Sequence, residues 1–351
     1  MPEQGLDNHA ISGKRVSIHK KALDQLIAMT DRITRAEGRT PTMVPFLTIV
    51  RSSRESLKNP GVLTPSFCLI LQGAKKLYLG QDIYHYSAGD YLASLIDMPA
   101  AAQIVGATEE SPYIGLRIDF TAQEIASVVM EAEIHTEPKE KSLSAGAFIG
   151  KSDAELLDIF NRLLKLIDKP KEARFLSELI KREMIFNLLS GDFGHLFLQK
   201  ALFDQRADGI GKAIHWIKEN YASSFTVEEL AKSCSMSISG LHHKFKAITT
   251  MGPLQYQKRL RLLEARRLML SGPMGATTAA LTVGYESPSQ FNREYRRLFG
   301  LPPLQDMKAV RQASYAGDSR IVKKSISRRN QPVKPFEEPQ GLLLLQLHDE
   351  G

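Results

Sequence analysis

Ser289, Gln290, Asn292 and Arg293 fall within five residues, directly behind the run Gly284-Tyr285-Glu286-Ser287-Pro288. On a helix opening at Ser287 they would crowd its exposed N-terminal part. Gln and Asn side chains can pair bidentately with adenine, and Arg with guanine, in a DNA major groove. Arg296 and Arg297 follow on the same helix and suit phosphate contact or plain solubility. A second set, Ser239, His242, His243 and Lys246, lies earlier in the chain. These four take the face opposite the apolar stripe Leu241, Phe245 and Ile248, and are candidates to reach base edges or phosphates. The adjacent His242 and His243 point in different directions on a helix, which disfavours a shared metal.

Base-reading side chains need a scaffold that presents them. The run from Ala279 to Gly300 reads as a small-residue helix, a Gly turn and a Ser-started helix with a basic face, which is a helix-turn-helix. A degenerate copy precedes it: Leu241, Phe245, Pro253 and Leu254 match Phe291, Tyr295, Pro303 and Leu304 at one offset of 50. Ala231 matches Ala280 at an offset of 49, so the second turn is one residue longer. In the first unit Thr226 with Glu229 fits a capping box, and Ser237 caps the next helix. Between the units, Pro253 to Leu270 reads as unbroken helix of about 27 Å, long enough to hold two recognition helices near one DNA turn apart, about 34 Å. Lys258, Arg259 and Arg261 on that spacer are candidate phosphate contacts. Arg266 and Arg267 share the helix, and some of these cations should pair with Glu264 or Glu286 instead.

The charge follows the same division. Residues 208–312 hold 15 Lys/Arg against 8 Asp/Glu, a net of +7, whereas residues 1–207 net −1 and residues 313–351 net +1. A basic module beside a near-neutral partner is the footprint of phosphate binding. Two cysteines, Cys68 and Cys234, give neither a disulfide framework nor metal spacing. No apolar run reaches eighteen residues and no signal-peptide core opens the chain, so the expectation is a cytoplasmic protein with no membrane partner.

The N-terminal half reads differently. A helix is expected over Arg15–Glu37. Short strands follow at Val44–Val50, Phe67–Gln72, Lys75–Leu79, Ile83–Tyr86, Tyr91–Ile96, Ala102–Val105 and Tyr113–Phe120, separated by Gly and Pro turn signals. Helices are expected near Gln123–Ala132, Ala154–Asp168 and Glu172–Leu189. Such strands suit a small barrel or jelly roll. Tyr78, Tyr84 and Tyr86 could line or rim an effector pocket, although alternation places Tyr84 and Tyr86 on one face that would equally serve as core. His85 stands alone, and without a His-x-His pair a metal-dependent oxygenase or isomerase is disfavoured. No phosphate loop, nucleophile elbow or metalloprotease motif appears. No catalytic residue, metal or cofactor is therefore expected. Cys68 reads as a buried small residue before it reads as a thiol sensor. The stripe Leu156, Phe160, Leu163, Leu164 and Ile167 reads as core, with a dimer seam as the alternative.

Two sets of residues carry a family likeness. Leu230-Ala231, Ser237 through Phe245, Tyr256, Arg261, Ala265-Arg266-Arg267-Leu268 and the run from Val283 to Pro303 make residues 210–311 resemble the AraC/XylS transcription regulators. Thr250 and Ser235 stand where members of that family commonly have Gly. Thr64-Pro65-Ser66, Leu69 through Lys76, Tyr84 with Gly89-Asp90-Tyr91-Leu92, and Ser111-Pro112-Tyr113 with Leu116 are similar to the N-terminal domain of one branch of the family. The resemblance implies a two-domain chain, with a cupin-like β-barrel and flanking helices followed by an all-α module of two helix-turn-helix units joined by a long helix. The expected boundaries are an N-terminal arm and helix over 1–40, the cupin-like regulatory domain over 41–203, a linker over 204–209, the DNA-binding domain over 210–312 and a disordered tail over 313–351. The expected partners are a double-stranded DNA operator, a small-molecule effector, a second copy of the chain, and RNA polymerase if the protein activates. The rival readings are a metal-free cupin enzyme fused to a DNA-targeting module and a non-specific DNA-packaging protein.

Overall fold

Alternation of apolar and polar residues between Gly38 and Lys151 is realised as ten strands in the computed structural model, which describes residues 6–134, 146–191, 194–197 and 209–316. In chain order these are β1 (Gly38–Pro41), β2 (Leu47–Ser52), β3 (Asn59–Leu63), β4 (Ser66–Gln72), β5 (Ala74–Leu79), β6 (Asp82–Ser87), β7 (Asp90–Ser94), β8 (Met98–Val105), β9 (Tyr113–Asp119) and β10 (Ala147–Lys151). They form a six-stranded sheet, β1-β2-β9-β4-β7-β10, and a four-stranded sheet, β3-β8-β5-β6. All the pairings are antiparallel. The cupin-like β class expected for this half is therefore present, as two sheets rather than one closed barrel.

Period-two alternation gives the larger sheet two buried faces. Phe67, Leu69 and Leu71 join Leu47, Ile49, Leu116 and Ile118 on one of them. That face is covered by α1 (Leu6–Ile33), α3 (Ala154–Leu166) and α4 (Pro170–Ser190), with α2 (Ala122–Glu131) packed on α4. Phe160 of α3 is wholly buried, with its ring centroid 5.9 Å from that of Phe67. Leu156, Leu163 and Leu164 are buried with it, so this stripe is core and cannot also serve as the dimer seam. Each such side chain contributes about 1.5–3 kcal/mol through burial. Ile70 and Leu92, on the other face, pack with Leu77, Leu79, Tyr86 and Met98 of the smaller sheet. The same cluster runs on into Ile214, Leu241, Phe245 and Tyr256 of the helical module, so the two halves share one continuous apolar core.

The strands that the sequence pattern does not reveal are β1, β3 and β10, and each lies at an edge of its sheet. Edge strands carry Pro and Gly because one row of their backbone groups need not pair. Pro41 and the Asn59-Pro60-Gly61 run are of this kind. The described residues up to Asp306 belong to one compact unit and those from Met307 to a second. The expected linker, apart from Gly209, and the expected tail beyond Ala316 lie outside the described residues. Helix continues to Ala316, four residues into the stretch expected to be tail. Among the described residues no helix is long and apolar enough to cross a membrane.

Candidate nucleic-acid interface

The basic module begins with α5 (Ile210–Glu219), followed by α6 (Val227–Ser233), α7 (Ile238–Thr249), α8 (Pro253–Ser271), α9 (Ala276–Thr282), α10 (Pro288–Phe299) and α11 (Pro303–Ala316). Local chemistry sets their starts. The Thr226 side chain accepts from Glu229 N at 3.1 Å, and the Glu229 carboxylate accepts from Thr226 N at 2.8 Å, completing a capping box. Ser237 accepts from Gly240 N at 3.1 Å, and Ser287 accepts from Gln290 N at 3.3 Å. A cap of this type stabilises a helix by about 1 kcal/mol. Here the two serines also fix where each recognition helix begins.

Both recognition helices bury one face. Leu241 and Phe245 are wholly buried on α7, as Phe291 and Tyr295 are on α10. Leu298, expected to extend the second stripe, is half-buried. The Phe245 ring meets Tyr256 of α8 edge-on at 5.4 Å, and Phe291 meets Tyr285 at 5.3 Å. The opposite faces are open: Ser239, His242, His243 and Lys246 are all exposed on α7, and Ser289, Gln290, Asn292, Arg293 and Arg296 are all exposed on α10. Gln290 Nε2 donates to Glu294 Oε1 at 3.3 Å, which ties it down only weakly. The carboxylate of Glu294 also accepts from Lys258 and from the Tyr285 hydroxyl, at 2.9 and 2.7 Å. Partial burial works to raise the Glu294 pKa, and these three donors outweigh it, so the carboxyl titrates below its ordinary range.

The spacer helix divides its cations between structure and surface. Arg261 donates to the carbonyl oxygens of Tyr221 at 2.6 Å, Gly284 at 2.8 Å, Ser223 at 3.1 Å and Ala222 at 3.2 Å. It joins the turn after α5 to the turn of the second unit, so its guanidinium is committed to the scaffold. Lys258 is engaged with Glu294. Arg266 grips Asp306 with two nitrogens, at 2.8 and 2.9 Å, and reaches Asn59 of β3 at 3.0 Å. Arg267 pairs with Glu264, whereas Glu286 makes no ion pair among the described residues. Arg259 is half-buried, and that burial lowers its pKa. The sequence does offer a signal for Arg261: it stands four residues from both Gln257 and Ala265, which are buried on the inner stripe of α8.

The helical module is gripped by the sheet half. Tyr256 donates its hydroxyl to Asp97 O at 2.7 Å, and Lys218 of α5 pairs with the Asp97 carboxylate at 2.5 Å. Gly146 N donates to Ile248 O, at the end of α7, at 3.0 Å. In the sheet half, register separates the three expected pocket tyrosines. Tyr84 and Tyr86 share the inner face with Leu77 and Lys75, whereas Tyr78 pairs with Ile83 on the outer face. There the Tyr78 hydroxyl donates to Gln103 and its ring lies 4.0 Å under the Lys58 ammonium. The three side chains therefore do not meet in one pocket. The inward polar residues that sequence reading did not assemble are Lys75 and Tyr113.

Comparisons with known proteins agree with this division. Residues 43–196 match the family model for the AraC-type transcriptional regulator N-terminus, and residues 230–309 match a helix-turn-helix domain model. The HTH-type transcriptional activator RhaS of Escherichia fergusonii is 26% identical over 163 residues, covering 46% of this chain and 58% of that protein. RhaS of Pectobacterium carotovorum is 33% identical over 95 residues, covering 27% of this chain and 34% of that protein. The chain thus spans between a third and three fifths of these two relatives. Among solved structures, an apo ToxT variant from Vibrio cholerae superposes with a TM-score of 0.51 at 10% identity, covering 77% of this chain and 98% of that one. Wild-type ToxT bound to an unsaturated fatty acid gives 0.51 at 10% identity, covering 74% and 93%. At that identity the likeness speaks for the fold. With its two halves matched in this order, the chain belongs to the AraC family of transcriptional regulators and carries the AraC-type N-terminal domain ahead of its helix-turn-helix module.

Proposed function

We propose that this protein is a sequence-specific DNA-binding transcription regulator whose two recognition helices, α7 and α10, read adjacent major grooves. The observation that carries the reading is the pairing of two helices of like construction. Each buries an apolar stripe in the same scaffold and leaves a polar, base-compatible face open. Ser239, His242 and His243 on α7, with Ser289, Gln290, Asn292 and Arg293 on α10, are the proposed base readers. Lys246, Arg259 and Arg296 are the proposed phosphate contacts. The N-terminal half acts as the regulatory domain, sensing a small molecule and passing the change through Asp97 to Lys218 and Tyr256. A second copy docks on the outer face of α4, where Phe175 is 70% exposed and Leu179 and Phe186 are about half exposed.

The test is titration of the purified chain with its own upstream DNA and with a scrambled duplex, over a salt series. A preference for the upstream DNA that survives moderate salt supports the reading. Equal binding that fades steeply with salt would reduce the module to phosphate contacts and favour a packaging role. Turnover of a small metabolite by the sheet half would favour the enzyme reading.

A further inference from the structure

Tyr256 and Asp306 occupy the same place in the repeat, at the offset of 50 that also relates Phe245 to Tyr295. The two units fill that place differently. In the first, Tyr256 sets its ring edge-on against Phe245 and sends its hydroxyl to Asp97 O in the sheet half. In the second, the Asp306 side chain is only 6% exposed, and its carboxylate accepts from the Tyr295 hydroxyl at 2.7 Å and from two nitrogens of Arg266. A carboxylate so buried is tolerated only when donors meet its oxygens. Burial, followed by the Asp306 carboxylate, raises the Tyr295 pKa, so the phenol remains a donor. Arg266 also touches α10 at a second point, because its guanidinium lies 4.7 Å from the ring centroid of Phe299, one turn beyond Tyr295. Its remaining nitrogen donates to Asn59 Oδ1 at 3.0 Å, and β3 packs beside both α8 and α10. A planar guanidinium holds its partners at fixed angles. Arg266 is thus fixed by a β3 side chain on one edge and by the second recognition helix on the other.

We propose that Asn59, Arg266 and Asp306 are positioning residues for the second recognition helix: β3, acting through the Arg266 fork, sets the angle of α10 and so takes part in how the second groove is read. Base-reading side chains must be held within about 0.5 Å of the productive geometry, and their own helix cannot fix that alone. The inner stripe of α10 sets its depth, and the Arg266 fork at Tyr295 and Phe299 sets its tilt. This rests on the reading of α10 as a base reader and adds the sheet half to the parts that determine specificity.

The experiment is amide hydrogen exchange of the full chain, read by mass spectrometry over α7 and α10, together with titration of upstream and scrambled DNA. Arg266→Met is expected to speed exchange in α10 about tenfold or more and to leave α7 as it was. Asn59 is exposed on the sheet side. Asn59→Leu should speed exchange in α10 about two- to fivefold and lower the ratio of affinities for upstream over scrambled DNA about threefold. Asn59→Asp keeps an acceptor for Arg266 and should restore both. Arg267→Met removes a neighbouring charge that pairs with Glu264 and should leave exchange in α10 unchanged. If Arg266→Met does not fold, the Asn59 arms decide. Exchange that rises equally in α7 and α10, Asn59→Leu with the parent's exchange in α10, or Asn59→Asp behaving like Asn59→Leu would each overturn the proposal. Faster exchange in α10 with an unchanged affinity ratio would overturn the positioning role if Arg293→Ala lowers that ratio, and would remove α10 from the base readers if it does not. A parent chain with no preference for the upstream DNA would remove the proposed function, and the exchange arm would then decide whether the sheet half holds α10.

Discussion

Ser235 in the first helix-turn-helix unit and Gly284 in the second hold the same left-handed backbone, at φ 55° and 89°. The helix ends repeat the contrast, with Thr250 at φ 64° closing α7 and Gly300 at φ 82° closing α10. Left-handed backbone costs a side-chain-bearing residue about 1–2 kcal/mol. The two units therefore accept that cost differently at equivalent places. What separates them is the neighbour. Ser235 is exposed, so its side chain projects into solvent. A Cβ on Gly284 would lie 2.0 Å from the carbonyl oxygen of Ala222. Thr250 lies against the β5–β6 turn, where a Cβ on Gly80 would meet its Oγ1 at 2.6 Å. The glycine needed for close approach sits on the sheet side there, and the helix end carries the side chain. At the turn, where Ser235 and Gly284 share a positive φ, crowding at the missing Cβ is what demands glycine, whereas Gly300 has no such neighbour.

The sharpest test is Gly284→Ala. Backbone strain and overlap with the Ala222 carbonyl act together, so the expected destabilisation exceeds about 3 kcal/mol. A thermal melt and the titration with upstream DNA should both show it, since the second recognition helix would lose its anchor. A stable variant with unchanged melting would break the argument from crowding. Arg261→Met comes next. It removes the donor that holds Tyr221, Ala222, Ser223 and Gly284 together. Hydrogen bonds from a charged group contribute about 1.5–3 kcal/mol each to stability when lost singly, and they are not additive here. The expected cost is about 2–3 kcal/mol, read as lower thermal stability. Weaker DNA binding with an unaltered melting curve would instead return Arg261 to the phosphate contacts.

The contrast extends to the exposed faces. The second helix offers Gln290, Asn292 and Arg293, while the first offers Ser239 and two histidines. Under the proposed function Arg293→Ala should weaken binding to the specific site by about 1–3 kcal/mol while leaving random duplex almost unaffected. Lys246→Ala should weaken both alike and flatten the salt dependence. Equal losses on both duplexes for Arg293→Ala would remove it from the base readers.

Gly300→Ala isolates the backbone cost, because nothing lies within 4 Å of the Cβ it would add. The expected loss is about 1 kcal/mol, seen as a small drop in melting temperature. A loss as large as that of Gly284→Ala would show that φ, and not the neighbour, sets the requirement for glycine.

The same distinction explains what the sequence reveals. Periodicity, Ser and Thr caps and the repeat at an offset of 50 expose both helix-turn-helix units, because each signal is local and is written twice. The buried stripe of α3 and the seven better-patterned strands are legible for the same reason. The edge strands β1, β3 and β10 are not, since an edge position relaxes the alternation that marks a strand. Lys75 and Tyr113 stand 38 positions apart on different sheets, and only the stacking of those sheets brings them together. Tyr78 fails as a pocket residue because one step of register places it on the opposite face from Tyr84 and Tyr86.

Ser235→Gly should have the smallest effect and the opposite sign. Relief of left-handed strain at φ 55° gains about 1–2 kcal/mol, and the added freedom of the unfolded chain takes back about 0.5–1 kcal/mol. The net expectation is a stabilisation of roughly 0.5 kcal/mol, a slight rise in melting temperature with unchanged affinity for DNA. Because Ser235 is exposed, the substitution removes little packing, and the measured sign reports the backbone alone. A clear destabilisation would mean that the Ser235 side chain contributes to the first turn in a way its exposure does not reveal, and the comparison of the two units would then rest on Gly284 and Thr250.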